Sequence, residues 1–164
     1  MDHKLVLAHV DKDLALYLEK IRTSVDLLDE SQVWWRANAR SNSVGILVLH
    51  LCGNLSQWVL SGLGGRPFAR QRAVEFTTAD GASRAELMTR LHDVVAGCRS
   101  VLAGLTEADL LAPRTIQKYE TDGLRALLHV WEHMSYHTGQ IVMLTKQLVG
   151  ERAEIDFYPQ HRGE

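Results

Sequence analysis

Leu14, Leu18, Ile21, Val25 and Leu28 recur at spacings of three and four, the mark of one buried helical face. They predict a first helix over about residues 2–28. Residues 31–42 are polar and rich in turn formers apart from Trp34 and Trp35. Ser43 then reads as the N-cap of a second helix over residues 44–61. That helix is apolar almost all round, so it should be deeply buried, and Gly62, Gly64, Gly65 and Pro67 end it. A connection of about twenty residues follows, longer than helix–helix loops usually are. Ser83 and Glu86 make a capping-box pattern ahead of a third stripe: Leu87, Leu91, Val94, Cys98, Val101 and Leu105. A second linker, 106–120, contains Pro113. Thr121 or Asp122 can cap a fourth helix whose buried stripe is Leu124, Leu128, Trp131, Met134, Ile141 and Leu148, with Gly150 as its stop. Residues 151–164 show no periodicity.

Four amphipathic helices imply an all-α, four-helix bundle filling one domain, residues 1–164. The long connection between helices 2 and 3 allows them to run parallel. The expected order is therefore up-down-down-up, with helices 2 and 4 antiparallel.

Composition narrows the class. The chain has 164 residues, 46% apolar and 23% charged, with a formal net charge of −2. That is one globular domain with no basic field to attract nucleic acid or anionic lipid. No run of about eighteen apolar residues marks a bilayer span, and the start, Met1-Asp2-His3-Lys4, does not read as a signal peptide. Two cysteines, Cys52 and Cys98, make no disulfide framework, and a reducing cytoplasm is the expected setting.

The candidate chemistry lies among eight histidines. His133 and His137 are four residues apart on the fourth helix, a turn of about 400° and a rise of about 6 Å, so both rings leave one face and can share an ion. His50 is the best third ligand, because an unpaired ring inside an apolar helix is costly. Its depth agrees. With helices 2 and 4 antiparallel and Gly62 level with Gly123, His50 lies about 18 Å from that end, between His133 at about 15 Å and His137 at about 21 Å. A parallel arrangement would miss the pair. Such a pair also occurs on surfaces or as bonded core rings, and a lone buried histidine as a core residue. The agreement of depth and face favours a metal site.

His129 could extend the set but lies about 80° around the helix from His137. His3, His9, His92 and His161 carry no such geometry and are expected at the surface. Cys52, about 200° from His50, and Cys98, in the core stripe, read as packing residues. Asn54, Gln57 and Gln140 share the histidine faces and are either pocket or supporting groups for the metal, or hydrogen-bond pairs within the bundle. Trp34, Trp35, Trp58 and Trp131 read as core or loop anchors, since only Arg36 supplies a basic neighbour for nucleic-acid stacking.

The stretches Val48-Leu49-His50-Leu51-Cys52-Gly53-Asn54-Leu55 and Glu132-His133-Met134-Ser135-Tyr136-His137-Thr138-Gly139-Gln140-Ile141 resemble the DinB-like, or YfiT-like, superfamily of metalloenzymes. The resemblance covers nearly the whole chain, and its specificity rests on these two helices. It implies one divalent metal ion, zinc or nickel, on His50, His133 and His137. It implies a homodimer, and for some members a thiol-dependent transferase or isomerase activity using a low-molecular-weight thiol. No residue here matches a thiol- or substrate-recognition motif.

Three imidazoles leave zinc one open position, as catalytic sites do. The expectation is a metal-dependent enzyme of thiol S-transferase or hydrolase type acting on a small molecule, with neither nucleic acid nor membrane as partner. The alternative is a non-catalytic, metal-stabilised dimeric bundle of stress-response type. A pocket leading to the open position separates the first from the second.

Overall fold

A computed structural model describes residues 2–78, 81–152 and 155–157. It is mostly helical. The first helix, α1 (His3–Asp26), starts where the Asp2 carboxylate accepts from the Lys4 N–H. Its buried face holds Leu7, Val10, Leu14, Ile21 and Val25. Leu28 is buried just beyond its end, while Leu18 is only partly covered. The polar segment that follows contains a short helix, α2 (Glu30–Val33), closed by a capping box between Asp29 and Gln32.

Ser43 caps α3 (Val44–Leu55) by accepting from the Ile46 N–H, and the helix continues as a π-helix over Ser56–Ser61. Val44–Ser61 is long and apolar enough to cross a membrane, which corrects the expectation that no such run exists. Most of it is buried within the protein, against α5 (Arg84–Gly104) and α7 (Gly123–Val149). The long connection is not bare loop. It carries α4 (Arg72–Thr77), which packs on α3.

The Ser83–Glu86 capping box opens α5. Its buried line is Leu87, Leu91, Val95, Cys98 and Leu102, so Val95 and Leu102 take the core positions expected of Val94 and Val101, which are partly buried with Leu105. The next linker holds α6 (Glu107–Leu111) and a hairpin, β1 (Pro113–Ile116) antiparallel to β2 (Tyr119–Asp122), with Ile116 opposite Tyr119. Its two-residue turn puts Gln117 at φ +58°, a conformation that glycine or asparagine usually supplies. This hairpin is the only sheet among the described residues, and the class remains all-α as expected.

Asp122, rather than Thr121, caps α7 by accepting from the Arg125 N–H. The buried face of α7 is Ala126, Leu127, Val130, Met134, His137, Thr138, Ile141, Thr145 and Val149. Leu124 and Leu148 are partly buried, and Leu128 is half-buried. Trp131 is turned outward, its indole N–H donating to Asp13 Oδ2 at 2.9 Å. The stripe is displaced because its core face includes polar side chains that an apolar count does not register. A 3-10 turn, Gly150–Arg152, follows, and Ile155 is buried beyond it.

Each long helix packs on two others: α1 and α3 both lie against α5 and α7. Polar contacts fix the levels. Asp11 pairs with Arg99, and Arg84 donates to the Asp26 and Leu28 carbonyls. Asp13 meets Trp131, and Gln32 donates to the Leu148 carbonyl. Trp34, just ahead of α3, donates to the Ala82 carbonyl, just ahead of α5, and Cys98 reaches the Leu55 carbonyl.

Candidate metal centre

Helices α3 and α7 bring His50 against His133 and His137. One ring nitrogen from each of the three lies within 4.8 Å of the others. Nε2 of His50 and Nε2 of His133 are 3.1 Å apart. An ion about 2.0–2.1 Å from each imidazole nitrogen, in tetrahedral geometry, sets its ligand atoms roughly 3.3–3.4 Å apart. The three rings therefore need only small adjustments to hold one. His50 is 4% and His137 9% exposed, so both rings are buried, where an unpaired ring nitrogen is costly.

Two of the rings are held in the tautomer that such an ion requires. Nδ1–H of His50 donates to Glu75 Oε2 at 2.9 Å, which turns its Nε2 lone pair toward the other histidines. Nδ1–H of His137 donates to Gln140 Oε1 at 2.7 Å, with the same consequence. Acceptors of this kind commonly orient metal-bound imidazoles and raise their basicity. His133 has no comparable support: its Nδ1 is buried without a hydrogen-bond partner among the described residues.

The protonation states also suit a cation. Burial, then the charges of His137, His50, His129 and Arg70, push His133 down to about 3. Burial lowers His137 as well, against an opposing effect of its bond to Gln140. Both rings are thus neutral around pH 7, the form that coordinates.

Glu75 is the residue that the sequence did not disclose. It sits on α4, in the connection read as a loop. Burial would raise its pKa, but hydrogen bonds from His50 and Arg70 and the charge of Arg70 outweigh this and keep it low. Arg70 grips it in a fork, Nε to Oε1 at 2.7 Å and Nη2 to Oε2 at 2.8 Å. Both side chains are nearly buried. Gly53 makes room for the pair, since a β-carbon there would collide with Glu75 Oε1 and crowd Arg70 Nε. Phe76 closes the other side of His50, with ring centroids 4.8 Å apart. No periodicity or spacing in the sequence links Arg70 or Glu75 to His50.

The other expected residues divide. Gln140 supports His137, as above. Asn54 Nδ2 donates to His129 Nε2 at 3.3 Å. His129 packs on Trp58 with ring centroids 4.3 Å apart and planes tilted by 44°, and lies 5.4 Å from His133, beside the histidine group rather than in it. Gln57 neither lines the cavity described below nor bonds a site histidine among the described residues. The reason is the π-helix from Ser56: its wider turn advances fewer degrees per residue and swings Trp58 onto the site face instead. Cys52 and Cys98 are buried, and burial pushes both thiols up to about 12, so they stay protonated and pack. His9 and His92 are exposed and His3 is half-buried, while His161 lies outside the described residues.

A cavity of about 580 Å³ opens beside His50 and His133. Asn54, Trp58 and His129 line it from α3 and α7, and residues 117–121 of the hairpin form one wall. Tyr119 from that wall lies near-parallel to Trp58, with centroids 6.1 Å apart. The arrangement can hold a divalent ion on three nitrogens and present it to a small molecule.

Solved structures share this fold, among them two DinB-like proteins. A DinB-like protein from Bacillus cereus ATCC 10987 aligns with a TM-score of 0.65 over 80% of this chain and 85% of its own, at 16% identity. A DinB-like protein from Bacillus subtilis aligns with a TM-score of 0.69 over 92% of this chain and 97% of its own, also at 16% identity. No curated protein matches the chain. Residues 3–157 match the family described as "Protein of unknown function (DUF1572)". The fold is therefore DinB-like, and the chain belongs to the DUF1572 family.

Proposed function

We propose that this protein is a metal-dependent enzyme acting on a small molecule, of thiol S-transferase or hydrolase type. The observation that carries the reading is that His50, His133 and His137 converge beside a 580 Å³ cavity lined by the first two, with no fourth protein ligand in the group among the described residues. Zinc or nickel bound there would keep one exchangeable position and supply Lewis acidity toward a thiol or a water molecule. The protein's own contribution is orientation. Glu75 and Gln140 fix two imidazoles, and Arg70 fixes Glu75. Trp58 and the hairpin narrow the approach.

Several finer features belong to the same proposal. The long helices form an up-down-down-up bundle. Supporting this, the contacts of α1 with α5 run in opposite senses along the two helices, as do those of α3 with α7. Those of α1 and the α2 turn after it with α7, and of α3 with α5, each taken with the segment just ahead of it, run in the same sense. A low-molecular-weight thiol as co-substrate suits the open position. A cytoplasmic setting suits two free, buried cysteines. A homodimer is the expected assembly, and exposed Tyr136 and Met143 on α7 offer it an apolar surface.

The test is Co²⁺ substitution. A thiol added to the Co²⁺ protein should produce a sulfur-to-metal charge-transfer band, absent from the His50→Ala variant. An unchanged spectrum, with metal removal lowering thermal stability strongly, would instead mark a closed structural site.

A further inference from the structure

The cavity beside the histidines collects cations from three separate segments: Arg72 on α4, Lys118 in the hairpin turn and Arg125 in the first turn of α7. Three arginines elsewhere are committed to carboxylates. Arg22 lies between Glu19 and Asp26, Arg99 on Asp11, and Arg114 near Asp109. Even Arg70, in the same cavity wall, has its charge committed to Glu75. Among the described residues, the three cavity cations have no ion-pair partner. Glu120 and Glu132 are the carboxylates that line the cavity, and neither pairs with them.

Two of these cations are instead seated on aromatic faces. Arg72 lies 5.0 Å from the Phe76 ring centroid and Lys118 5.8 Å from that of Tyr119. An aromatic face positions a cation without neutralising it. Phe76 in turn packs on His50, so Arg72 stands one ring away from the ligand group. The opposite requirement, apolar surface, is met by Trp58 and Tyr119. This concentration of positive charge occurs in a chain whose net charge is −2.

We infer that the cavity binds a small organic anion, its carboxylate or phosphate held by Arg72, Lys118 and Arg125 and its flat or apolar part lying against Trp58 and Tyr119. Guanidinium and ammonium groups recognise both oxyanions through charge-assisted hydrogen bonds. The inference deepens the proposed function, because it rests on the cavity being the substrate site, and it names the class of substrate that the site selects.

The probes are 3-phenylpropionate, phenyl phosphate and the uncharged 3-phenylpropanamide, titrated calorimetrically into zinc-loaded and metal-stripped protein. At least one anion should bind both forms, weakening as salt rises, while the amide binds at least about tenfold more weakly, the worth of one charge-assisted hydrogen bond. The tighter anion identifies the preferred oxyanion. Arg72→Gln and Arg125→Gln should each weaken the anion by about tenfold. Zinc stoichiometry and the thermal midpoint should stay unchanged, since both side chains are exposed and without ion pairs. Equal binding of anion and amide would overturn the inference, as would binding only when zinc is present, because the metal would then be the anion's holder. Failure of the wild-type protein to take up zinc, with anion binding intact, would overturn the metal reading and leave this one standing.

Discussion

Replacing Glu75 by glutamine preserves the side chain's shape and removes its charge, and two separable losses should follow. The carboxylate accepts three bonds: from His50 Nδ1 at 2.9 Å, Arg70 Nε at 2.7 Å and Arg70 Nη2 at 2.8 Å. An amide has one oxygen to offer these donors and turns its own N–H₂ toward the rest. The first loss is stability. Arg70 keeps its charge in a place where its side chain is only 5% exposed, and breaking a buried pair in this way costs about 3–5 kcal/mol. The second is metal affinity. Weakening the acceptor behind a coordinating imidazole typically lowers affinity about 10–100-fold, or about 1.4–2.8 kcal/mol.

Thermal melts of metal-free protein measure the first loss, and competition with a chromophoric zinc chelator measures the second. The double variant Arg70→Met with Glu75→Leu separates them. Removing both charges should recover much of the stability but not the affinity, since His50 Nδ1 still lacks its acceptor. Zinc affinity within about twofold of wild type in the single variant, far below the usual effect of such a partner, would refute the claim that Glu75 acts through His50.

Three further outcomes are expected. His50→Ala, His133→Ala and His137→Ala should each lose most zinc affinity, whereas His129→Ala, outside the ligand group, should keep stoichiometric binding in the same chelator competition. Gly53→Ala gains about 1 kcal/mol of helix propensity yet drives a methyl group into Glu75. It should therefore lower both zinc affinity and stability, and a rise in both would show that the close approach is not needed. The pH dependence follows from the depressed histidines. As pH falls through about 6.5, the range of a free imidazole, the unfolded chain takes up protons that His133 and His137 in the folded protein refuse. The unfolded state then binds more protons, and stability of the metal-free protein should decline toward acid. A melting temperature flat from pH 7 to pH 4.5 would contradict this.

The sequence disclosed what is periodic. The capped starts at Ser43 and Ser83 and the face shared by His133 and His137 all follow from local chemistry. His50 could be placed because axial rise is the same in every α-helix. What stayed hidden has physical reasons. Glu75 reaches His50 across a connection, so no spacing encodes it. Trp58 replaces Gln57 at the cavity because a π-turn changes the angular step. The hairpin turns at Gln117 without the usual asparagine or glycine, and α7 buries Thr138 and Thr145 where an apolar count sees polar residues. A single displaced face is enough to move Trp131 from core to surface, yet it leaves the histidine pair in place, because i and i+4 stay neighbours wherever the core lies.

X-ray absorption at the zinc edge tests the central claim most directly. The zinc-loaded protein should show a first shell of three imidazole nitrogens at about 2.0–2.1 Å with one further oxygen or nitrogen, at one ion per chain, and His133→Ala should lose that signature. Sulfur at about 2.3 Å in the absence of added thiol, or the same three-imidazole shell in the His133→Ala variant, would contradict a centre built from His50, His133 and His137.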